Sequence, residues 1–318
     1  MKKSLLLASM LFLCTGCATS SESMVKEMKY DYSKAANVFI LMGQSNMEGQ
    51  SLERNLPEYL SDNNLPSDYY KIGFESIKLS YMGKENSTNK ISPISGEFVG
   101  TKLGYGASAL RFGPEIGIAE SLQKNKKDND PPIYLIKFTY SGAGFYGEQN
   151  FKSPSTGATG ELWKKMVPFI NNCLELIAVD GYLPVIKALL WAQGEADGYS
   201  STGSSNYERH MTLFLEDFMN EFKDYSYNFK KESIAFIDSY ISKDSIWEYC
   251  DVVNRTKDKI AAMADNHYLI NTLSDGLDLK LGDEEHGGGD AYHYTVDSTI
   301  RFGHEFAKII IDNNMLKF

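Results

Sequence analysis

The chain has 318 residues, of which 42% are hydrophobic and 13% aromatic. This composition can build a substantial core and excludes an intrinsically disordered chain. The formal net charge is -10, from 42 acidic against 32 basic residues. Because no basic run is present that could follow a phosphate backbone, we expect no nucleic-acid partner.

The N-terminal residues have the pattern of a bacterial export signal. Two lysines precede an apolar run at 5–13 that is too short to span a bilayer, and small residues then lead to Cys17. The stretch CTGC resembles a lipobox, in which the last cysteine is lipidated and becomes the mature N-terminus. Cys14 departs from the Leu that is usual in such motifs. The alternative is an ordinary signal peptide that is cut nearby.

This pattern predicts three parts of unequal size. Residues 1–16 are expected to be a lipoprotein signal peptide and residues 17–36 a polar tether, which leaves 37–318 for the folded body. The protein is therefore expected to be exported and lipid-anchored to a bacterial membrane, in the periplasm or at the cell surface. Cys173 and Cys250 lie in apolar helical contexts and are expected to be core thiols rather than a disulfide.

Short apolar runs alternate with amphipathic helical patterns in the body. The predicted strands are 38–42, 133–138, 185–191, 233–237 and 268–270. The predicted helices are 114–123, 161–177, 207–222, 245–263 and 299–311. Such alternation favours parallel strands joined by crossover helices, and strands without polar alternation are covered on both faces. We expect one three-layer α/β/α sandwich, flavodoxin-like, with a central mostly parallel sheet of about five strands.

Residues 51–110 fit this alternation least well. They contain one predicted strand, 76–81, and then a polar, glycine-rich stretch that is too long for a simple connection. We interpret the segment as containing an insertion that roofs a site. In open α/β sheets, ligands bind beyond the carboxyl ends of the strands, so polar residues that directly follow strands are candidates for the site.

Three loops of this kind follow predicted strands. In VFILMGQSNMEGQ, Gly43 permits a sharp bend, and Ser45 precedes a helical turn whose amides can face a negatively charged oxygen. Ser45 is a candidate nucleophile, and a helix N-cap is the alternative. The loop in LIKFTYSGAGFYG has glycines that let an amide approach a substrate, and IKALLWAQGEADG places the amide of Gln193 at the mouth of the sheet. The alternative for the first of these two loops is a plain turn, and for the second it is a Gln193 that only caps a loop.

A serine nucleophile needs a base, and histidine is the usual one. Of the five histidines, His293 has the most suitable surroundings, because Asp290 lies three residues before it and an amphipathic helix follows. Asp283 and His286 have the same spacing but lack that helix, so they rank second. A metal site of His286, Asp290 and His293 is a further alternative. However, the nearby glycines would make such a site flexible, and the sequence indicates no other ligand. We therefore expect neither metal nor cofactor.

Five stretches together resemble the SGNH-type hydrolases, specifically the carbohydrate acetylesterases grouped with acetylxylan esterases and sialate O-acetylesterases. They are GQSNM at 43–47, RFGPE at 111–115, LIKFTYSGAG at 135–144, WAQGEAD at 191–197 and DAYHY at 290–294, and the similarity spans about residues 37 to 312. The resemblance implies Ser45 as nucleophile, His293 as base and Asp290 as the acid that orients it. It also implies that the Ser45 amide, the Gly142 amide and the Gln193 side chain form the oxyanion hole.

The family's activity is then the expected function. The resemblance implies a serine carbohydrate esterase that removes O-acetyl groups from glycans, such as acetylated xylan or sialic acid, through an acetyl-serine intermediate. Two departures affect the second oxyanion donor and the loop before Asp290: YSGAG stands where relatives show paired glycines followed by Thr, and EEHGGG precedes the acid. The alternatives are a catalytically inactive glycan-binding lipoprotein and a general short-chain or lipase-like esterase. Expected substrate contacts are Gln44, Asn46, Glu195, Tyr140, Tyr146 and Arg111, with Phe145, Tyr199 and Tyr105 as further rings of a sugar platform.

Overall fold

The computed structural model describes residues 32–83, 97–226, 234–243, 246–277, 279–280 and 290–318. The predicted signal peptide, the predicted lipidation site Cys17 and most of the predicted tether lie outside the described residues, as do Asp283 and His286. The folded body begins slightly earlier than the predicted residue 37, because Ala35 and Ala36 are already buried in the first strand.

The apolar runs form the strands of a central sheet. The first strand, β1 (Ala35–Gly43), is buried along its whole length, as expected for a strand covered on both faces. The other strands are β2 (Ser51–Leu52), β3 (Phe74–Met82), β4 (Val99–Thr101), β5 (Arg111–Phe112), β6 (Ile133–Thr139), β7 (Leu183–Ala192), β8 (Ala235–Ser239), β9 (His267–Ile270), β10 (Leu279–Lys280) and β11 (Asp290–Tyr294).

In the described part of the chain, seven strands form one sheet in the order β4-β3-β6-β1-β7-β8-β9. All neighbouring pairs are parallel except β3 and β4. The prediction of a mostly parallel sheet is confirmed. The sheet is wider than the expected five strands because residues 51–110 contribute β3 and the edge strand β4. Two short antiparallel pairs, β2 with β5 and β10 with β11, lie outside it.

Helices cover both faces of the sheet. They are α1 (Ser45–Glu48), α2 (Leu56–Asp62), α3 (Tyr69–Ile72), α4 (Glu115–Asn125), α5 (Glu161–Val179), α6 (Glu195–Gly198), α7 (Ser201–Glu221), α8 (Cys250–Ala261) and α9 (Val296–Asp312). The five predicted helices correspond to α4, α5, α7, α8 and α9. Short 3-10 turns occur at Tyr32–Lys34, Glu53–Asn55, Pro154–Thr156 and Lys223–Tyr225.

Two helices begin earlier than their apolar periodicity predicts, and capping explains both. The Ser200 hydroxyl accepts the amide of Gly203 at 3.0 Å and starts α7 six residues before the predicted position. The Thr295 hydroxyl accepts the amide of Ser298 at 3.2 Å and starts α9. A cap satisfies a helix amide that would otherwise lack an intrahelical partner, so polar residues can extend a helix beyond its apolar stripe.

The two faces of the sheet bury separate apolar cores. Along β1, Val38 and Ile40 pack into one core with residues of α5, α7 and α8, whereas Phe39 and Leu41 pack into the other with residues of α2, α4 and α9. This alternation along one strand confirms the three-layer α/β/α arrangement.

The described residues also allow the thiols, membrane-spanning helices and metal-binding clusters of the body to be assessed. Cys173 and Cys250 are buried free thiols, as predicted, and burial raises the pKa of Cys173 to about 11. Across the described ranges, every helix is too short or too polar to cross a bilayer. The same residues contain no cluster of three or more His, Cys, Asp or Glu side chains arranged to hold a metal ion.

Candidate active site

A cleft of about 650 Å³ opens where β1, β6 and β7 end, and β11 forms part of its wall. Open α/β sheets bind ligands at this edge. The cleft unites residues from all three predicted loops with residues of the C-terminal DAYHY motif. It is lined by Gln44, Ser45, Gln50, Ser141, Gly142, Glu195, Ala196, Tyr199, Trp247, Tyr292 and His293.

Ser45 reaches this cleft because the chain turns sharply after β1. Gly43 has a φ of +149°, and a Cβ at this position would lie 2.0 Å from the carbonyl oxygen of Ala192 on β7. Only glycine fits such a close approach. Ser45 is the first residue of α1, and Gln44 occupies the N-cap position, so the N-cap interpretation of Ser45 does not hold. Ser45 is nearly buried, with 7% of its surface exposed.

His293 lies in the same cleft, on β11. Its Nδ1 is 2.7 Å from Oδ2 of the buried Asp290, whose Oδ1 accepts the amide of Tyr292 at 2.9 Å. A carboxylate bound at Nδ1 holds the proton there and leaves Nε2 as the basic nitrogen. The described hydrogen bonds do not include one between the Ser45 hydroxyl and His293, although both residues line the cleft. Catalytic hydrogen bonds are often long in unliganded enzymes and tighten with substrate.

Asn46, on α1, binds Glu195 on one side of the cleft and β11 on another. Its Nδ2 donates to Oε1 of Glu195 at 2.9 Å and to the carbonyl oxygen of Tyr292 at 3.3 Å. Its Oδ1 accepts the amide of Tyr294 at 3.4 Å. The structure thus places Asn46 among protein partners, next to the cleft but not in its lining, and β11 is held against α1 by this one side chain on both sides of His293.

Glu195 lies in the cleft with most of its surface buried. One carboxylate oxygen, Oε1, accepts the hydrogen bond from Asn46, and the other, Oε2, has no hydrogen-bond partner among the described residues. Burial raises the pKa of this carboxyl above its usual range. Oε2 is also shielded from solvent, and burying a carboxylate oxygen without a partner disfavours the ionised form.

Gln193 is more deeply buried than the sequence suggests. Its Nε2 donates to Oδ2 of Asp197 at 2.7 Å and, more weakly, to Oε1 of Gln44 at 3.4 Å. Gln44 Oε1 also accepts the amide of Ala196 at 3.1 Å. Gln193 is 1% exposed and is not among the lining residues, so its amide is aimed at Asp197 rather than into the cleft. The structure does not bring this predicted oxyanion donor to the cleft.

Gly142 does lie at the cleft, in the loop after β6. Its φ of +75° is in the left-handed region that favours glycine. Among the described residues, neither its amide nor the amide of Ser45 has a hydrogen-bond acceptor. Two amides without acceptors, one beside the serine and one on the neighbouring loop, are the arrangement that stabilises an oxyanion.

A buried lysine binds the last residue of α1. Lys137 is fully buried on β6, and its Nζ lies 2.7 Å from Oε2 of Glu115, which is also fully buried. The same Nζ donates to the carbonyl oxygen of Glu48 at 2.8 Å and of Tyr105 at 2.7 Å. Burial lowers the pKa of Lys137, an effect that Glu115 opposes. Removing either partner would leave an uncompensated buried charge.

Arg111 has a structural role that the sequence did not indicate. Its Nη1 donates to the carbonyl oxygen of Gln50 at 2.5 Å and to Gln50 Oε1 at 3.2 Å. It does not line the cleft. The expected substrate contact of Arg111 is therefore not supported, because its Nη1 is already bound to Gln50.

The aromatic rings at the cleft differ from those expected. Tyr140 is buried in the core, and Tyr146 packs against His210 with 5.3 Å between ring centroids; neither lines the cleft. Instead Trp247 and Tyr292 meet edge to face at 5.9 Å. The rings that line the cleft are Tyr199, Trp247 and Tyr292, whereas Phe145 lies in the core and Tyr105 packs against the other core. The position of Tyr292 between Asp290 and His293 was the available sequence signal for its role.

The described part of residues 51–110 forms β2, α2, α3 and the two sheet strands β3 and β4. None of its described residues is in the cleft lining. Residues 84–96, the centre of the expected insertion, lie outside the described residues. That this segment roofs the site stays a prediction.

Comparison with known proteins agrees with this geometry. The family model for the carbohydrate esterases described as sialic acid-specific acetylesterases matches residues 35–312. The chain belongs to this carbohydrate esterase family. The family resemblance of its five motifs is thereby confirmed. No curated protein matches the esterase at a significant level.

Two solved structures share the fold of the esterase. A protein of Arabidopsis thaliana has 19% identity and a TM-score of 0.55, over 88% of this chain and 99% of its own. NanS has 13% identity and a TM-score of 0.56, over 89% of this chain and 99% of its own. At such identities the likeness establishes the architecture, and substrate and mechanism have to be argued from the cleft.

Proposed function

We propose that this esterase removes O-acetyl groups from glycans through an acetyl-serine intermediate. The observation that carries the proposal is that Ser45 and the Asp290–His293 pair line or support one cleft, with the His293 ring bound to Asp290 at 2.7 Å. A serine, a histidine held by a carboxylate and nearby amides are the parts that acyl transfer requires.

The proposed reaction has two halves. Ser45 Oγ attacks the acetyl carbonyl while His293 Nε2 accepts its proton, and the amides of Ser45 and Gly142 bind the resulting oxyanion. His293 then gives the proton to the departing sugar oxygen, which leaves acetyl-serine and a free glycan hydroxyl. In the second half, His293 takes a proton from water, the hydroxide attacks acetyl-serine, and acetate leaves as the proton returns to Ser45. Asp290 stays ionised and stabilises the imidazolium.

The carbohydrate side of the substrate is proposed to bind across the rings of Tyr199, Trp247 and Tyr292. Aromatic faces provide apolar contact for sugar rings, and Tyr199 and Tyr292 are 63% and 47% exposed. Glu195, which also lines the cleft, is proposed to take a hydrogen bond from the sugar.

A chromogenic acetyl ester and a panel of acetylated xylan, acetylated sialic acid and acetylated amino sugars test this function. Wild-type protein should release acetate from at least one glycan, and Ser45→Ala should fall to the background rate. Equal background rates for both proteins would instead favour a glycan-binding protein without activity. Faster cleavage of long acyl esters than of acetyl esters would favour a lipase-like esterase.

We also propose that the esterase is exported by a bacterium and anchored through Cys17. The support is the sequence pattern of Lys2, Lys3, the apolar run at 5–13 and CTGC. Expression in a bacterial host with labelled palmitate should give a labelled membrane-bound protein, and Cys17→Ala should abolish the label. A wild-type protein that is cut after another residue and stays unlabelled would support an ordinary signal peptide.

A further inference from the structure

The loop after β6 brings the Gly142 amide to the cleft, yet Gly142 itself makes few contacts. A Cβ added at this residue would meet nothing within 4 Å. The position of its amide must therefore be determined by the residues on either side of it. These residues, Ser141 before it and Phe145 after it, are each bound by a buried carboxylate.

Glu48 holds the beginning of the loop. Its Oε2 accepts both the amide of Ser141, at 3.1 Å, and the Ser141 hydroxyl. Glu48 is completely buried and is the last residue of α1, the helix that begins with Ser45. Its own carbonyl oxygen is held by Lys137 Nζ at 2.8 Å. One rigid helical turn thus carries the nucleophile at one end and binds the oxyanion loop at the other.

Asp197 holds the end of the loop. The amide of Phe145 donates to its Oδ1 at 3.1 Å and to its Oδ2 at 3.2 Å. The two segments approach so closely that a Cβ on Gly144 would lie 2.4 Å from Asp197 Oδ2. Asp197 is 2% exposed and lies on α6, two residues after the Glu195 that lines the cleft.

Burying a carboxylate is expensive unless strong hydrogen bonds compensate for lost water. Hydrogen bonds from amides to a carboxylate are charge-assisted, which makes them shorter and stronger than neutral ones. A simple turn of five residues does not need two buried carboxylates to bind its amides. We propose that Glu48 and Asp197 are positioning residues that fix the Gly142 amide relative to Ser45, so that it meets the oxyanion as that charge forms.

This inference rests on the proposed esterase function and makes a separate prediction about it. An oxyanion donor acts on the transition state and hardly on the bound ester. Disturbing the two carboxylates should therefore lower kcat and weaken binding of a tetrahedral transition-state mimic, while KM changes little. A purely structural role would lower stability without this pattern.

The experiment uses Glu48→Ala and Asp197→Ala in the full-length esterase. Kinetics on a chromogenic acetyl ester give kcat and KM, and the inhibition constant of phenylboronic acid reports on the tetrahedral adduct at Ser45. We expect kcat to fall about 10- to 100-fold, below the limit for complete loss of an oxyanion donor, and boronate binding to weaken by a similar factor. Glu48→Gln should restore most of both, because an amide oxygen can still accept from Ser141.

Asp217 provides a matched control. It accepts the amide of Ser155 at 2.8 Å and its hydroxyl at 2.6 Å, which is the contact that Glu48 makes with Ser141, but it is not part of the cleft. Asp217→Ala should leave kcat and boronate binding unchanged. If either alanine variant fails to fold, Gly144→Ala takes its place, since its Cβ pushes against Asp197 and should weaken boronate binding at least about fivefold.

Three results would overturn the inference: variants that lose kcat but bind boronate like wild type, equal losses in Asp217→Ala, or wild-type boronate binding in Gly144→Ala. Failure of the underlying function looks different. In that case Ser45→Ala would keep the wild-type rate, and phenylboronic acid would not inhibit the wild-type protein at all.

Discussion

The two halves of the candidate active site are built very differently. Ser45 follows β1, which is buried along its length at the centre of the sheet. His293 lies on β11, which among the described residues pairs with the short β10 alone and is buried at its two ends and exposed at its centre. The proposed nucleophile is thus placed by the core, whereas the proposed base is placed by a few side-chain contacts. We expect the nucleophile side to tolerate little change and the β11 side to be the more easily displaced.

The largest effect should come from removing the base itself. His293→Ala should lower kcat for acetyl ester cleavage by about 10⁴-fold or more, because Ser45 then has no proton acceptor. The folded state should be nearly unaffected, since His293 contributes little to the core. Steady-state kinetics and a thermal unfolding curve measure both quantities, and a variant that keeps a tenth of its activity would remove His293 from the mechanism.

The connection between the two halves should be the next most sensitive point. Asn46→Ala removes the hydrogen bonds to Glu195, Tyr292 and Tyr294, so β11, which carries His293, should shift relative to α1. We expect kcat to fall roughly 10- to 100-fold, which is the range for a base or nucleophile that is slightly misplaced.

A charge swap sharpens this prediction. Asn46→Asp places a second carboxylate against Glu195 and should be worse than alanine, whereas Asn46→Asp with Glu195→Gln restores a donor and an acceptor and should recover part of the loss. If the double variant is no better than the product of the two single variants, the hydrogen bond between positions 46 and 195 does not couple the two halves.

On the nucleophile side, the buried carboxyl of Asp197 should make the free energy of unfolding depend on pH. Burial raises the pKa of Asp197 to about 6, although Gln193 and Phe145 lower it by hydrogen bonding. A carboxyl with a raised pKa binds its proton more tightly in the folded state, so stability is lost as pH rises through about 6. The loss is on the order of 2 to 3 kcal/mol at most.

Asp197→Asn should remove this loss. Relative to wild type, the variant should gain stability between pH 4 and pH 7, and urea unfolding at several pH values measures the difference. A variant that instead loses stability relative to wild type over this range would show that the ionised carboxylate is stabilising there.

Gln193→Ala should reveal whether its amide acts directly or through Asp197. Because Gln193 Nε2 is 2.7 Å from Asp197 Oδ2, we expect a loss of about tenfold in kcat, smaller than the hundredfold or more for a direct oxyanion donor. Combining Gln193→Ala with Asp197→Asn should cost little more than either alone. A loss of a thousandfold from Gln193→Ala would restore the direct role that the family resemblance implies.

The smallest effect should come from the rim. Tyr199→Ala should raise KM for an acetylated glycan by about two- to tenfold and leave cleavage of a small acetyl ester unchanged, since an exposed ring contributes only contact area. The small ester serves as the internal control. Equal changes for both substrates would mean that Tyr199 supports the loop rather than the sugar.

Much of this site was visible in the sequence because its signals are local. GQSNM, WAQGEAD and DAYHY each follow or form an element whose type is encoded within a few residues, and Asp290 and His293 are only three positions apart. The alternation of apolar runs and amphipathic helices predicted the layers for the same reason. Ser45 and Gly142 lie at the cleft because parallel strands bring their carboxyl ends to one edge, whereas His293 reaches it on β11, outside that sheet.

The hydrogen-bond partners of these residues could not be predicted in this way. Asn46 meets Glu195 across 149 positions, and Glu48 meets Ser141 across 93. Gln193 and Arg111 were expected to face substrate and instead bind Asp197 and Gln50, because polar groups that folding removes from water take partners in the protein.

The amino-acid sequence by itself determined the family, the order of strands and helices, and the residues that can react. Tertiary structure decided which of them face the cleft and which support it from behind. The physical reason is that secondary structure follows from neighbours along the chain, whereas the environment of a polar side chain follows from what the folded sheet packs against it.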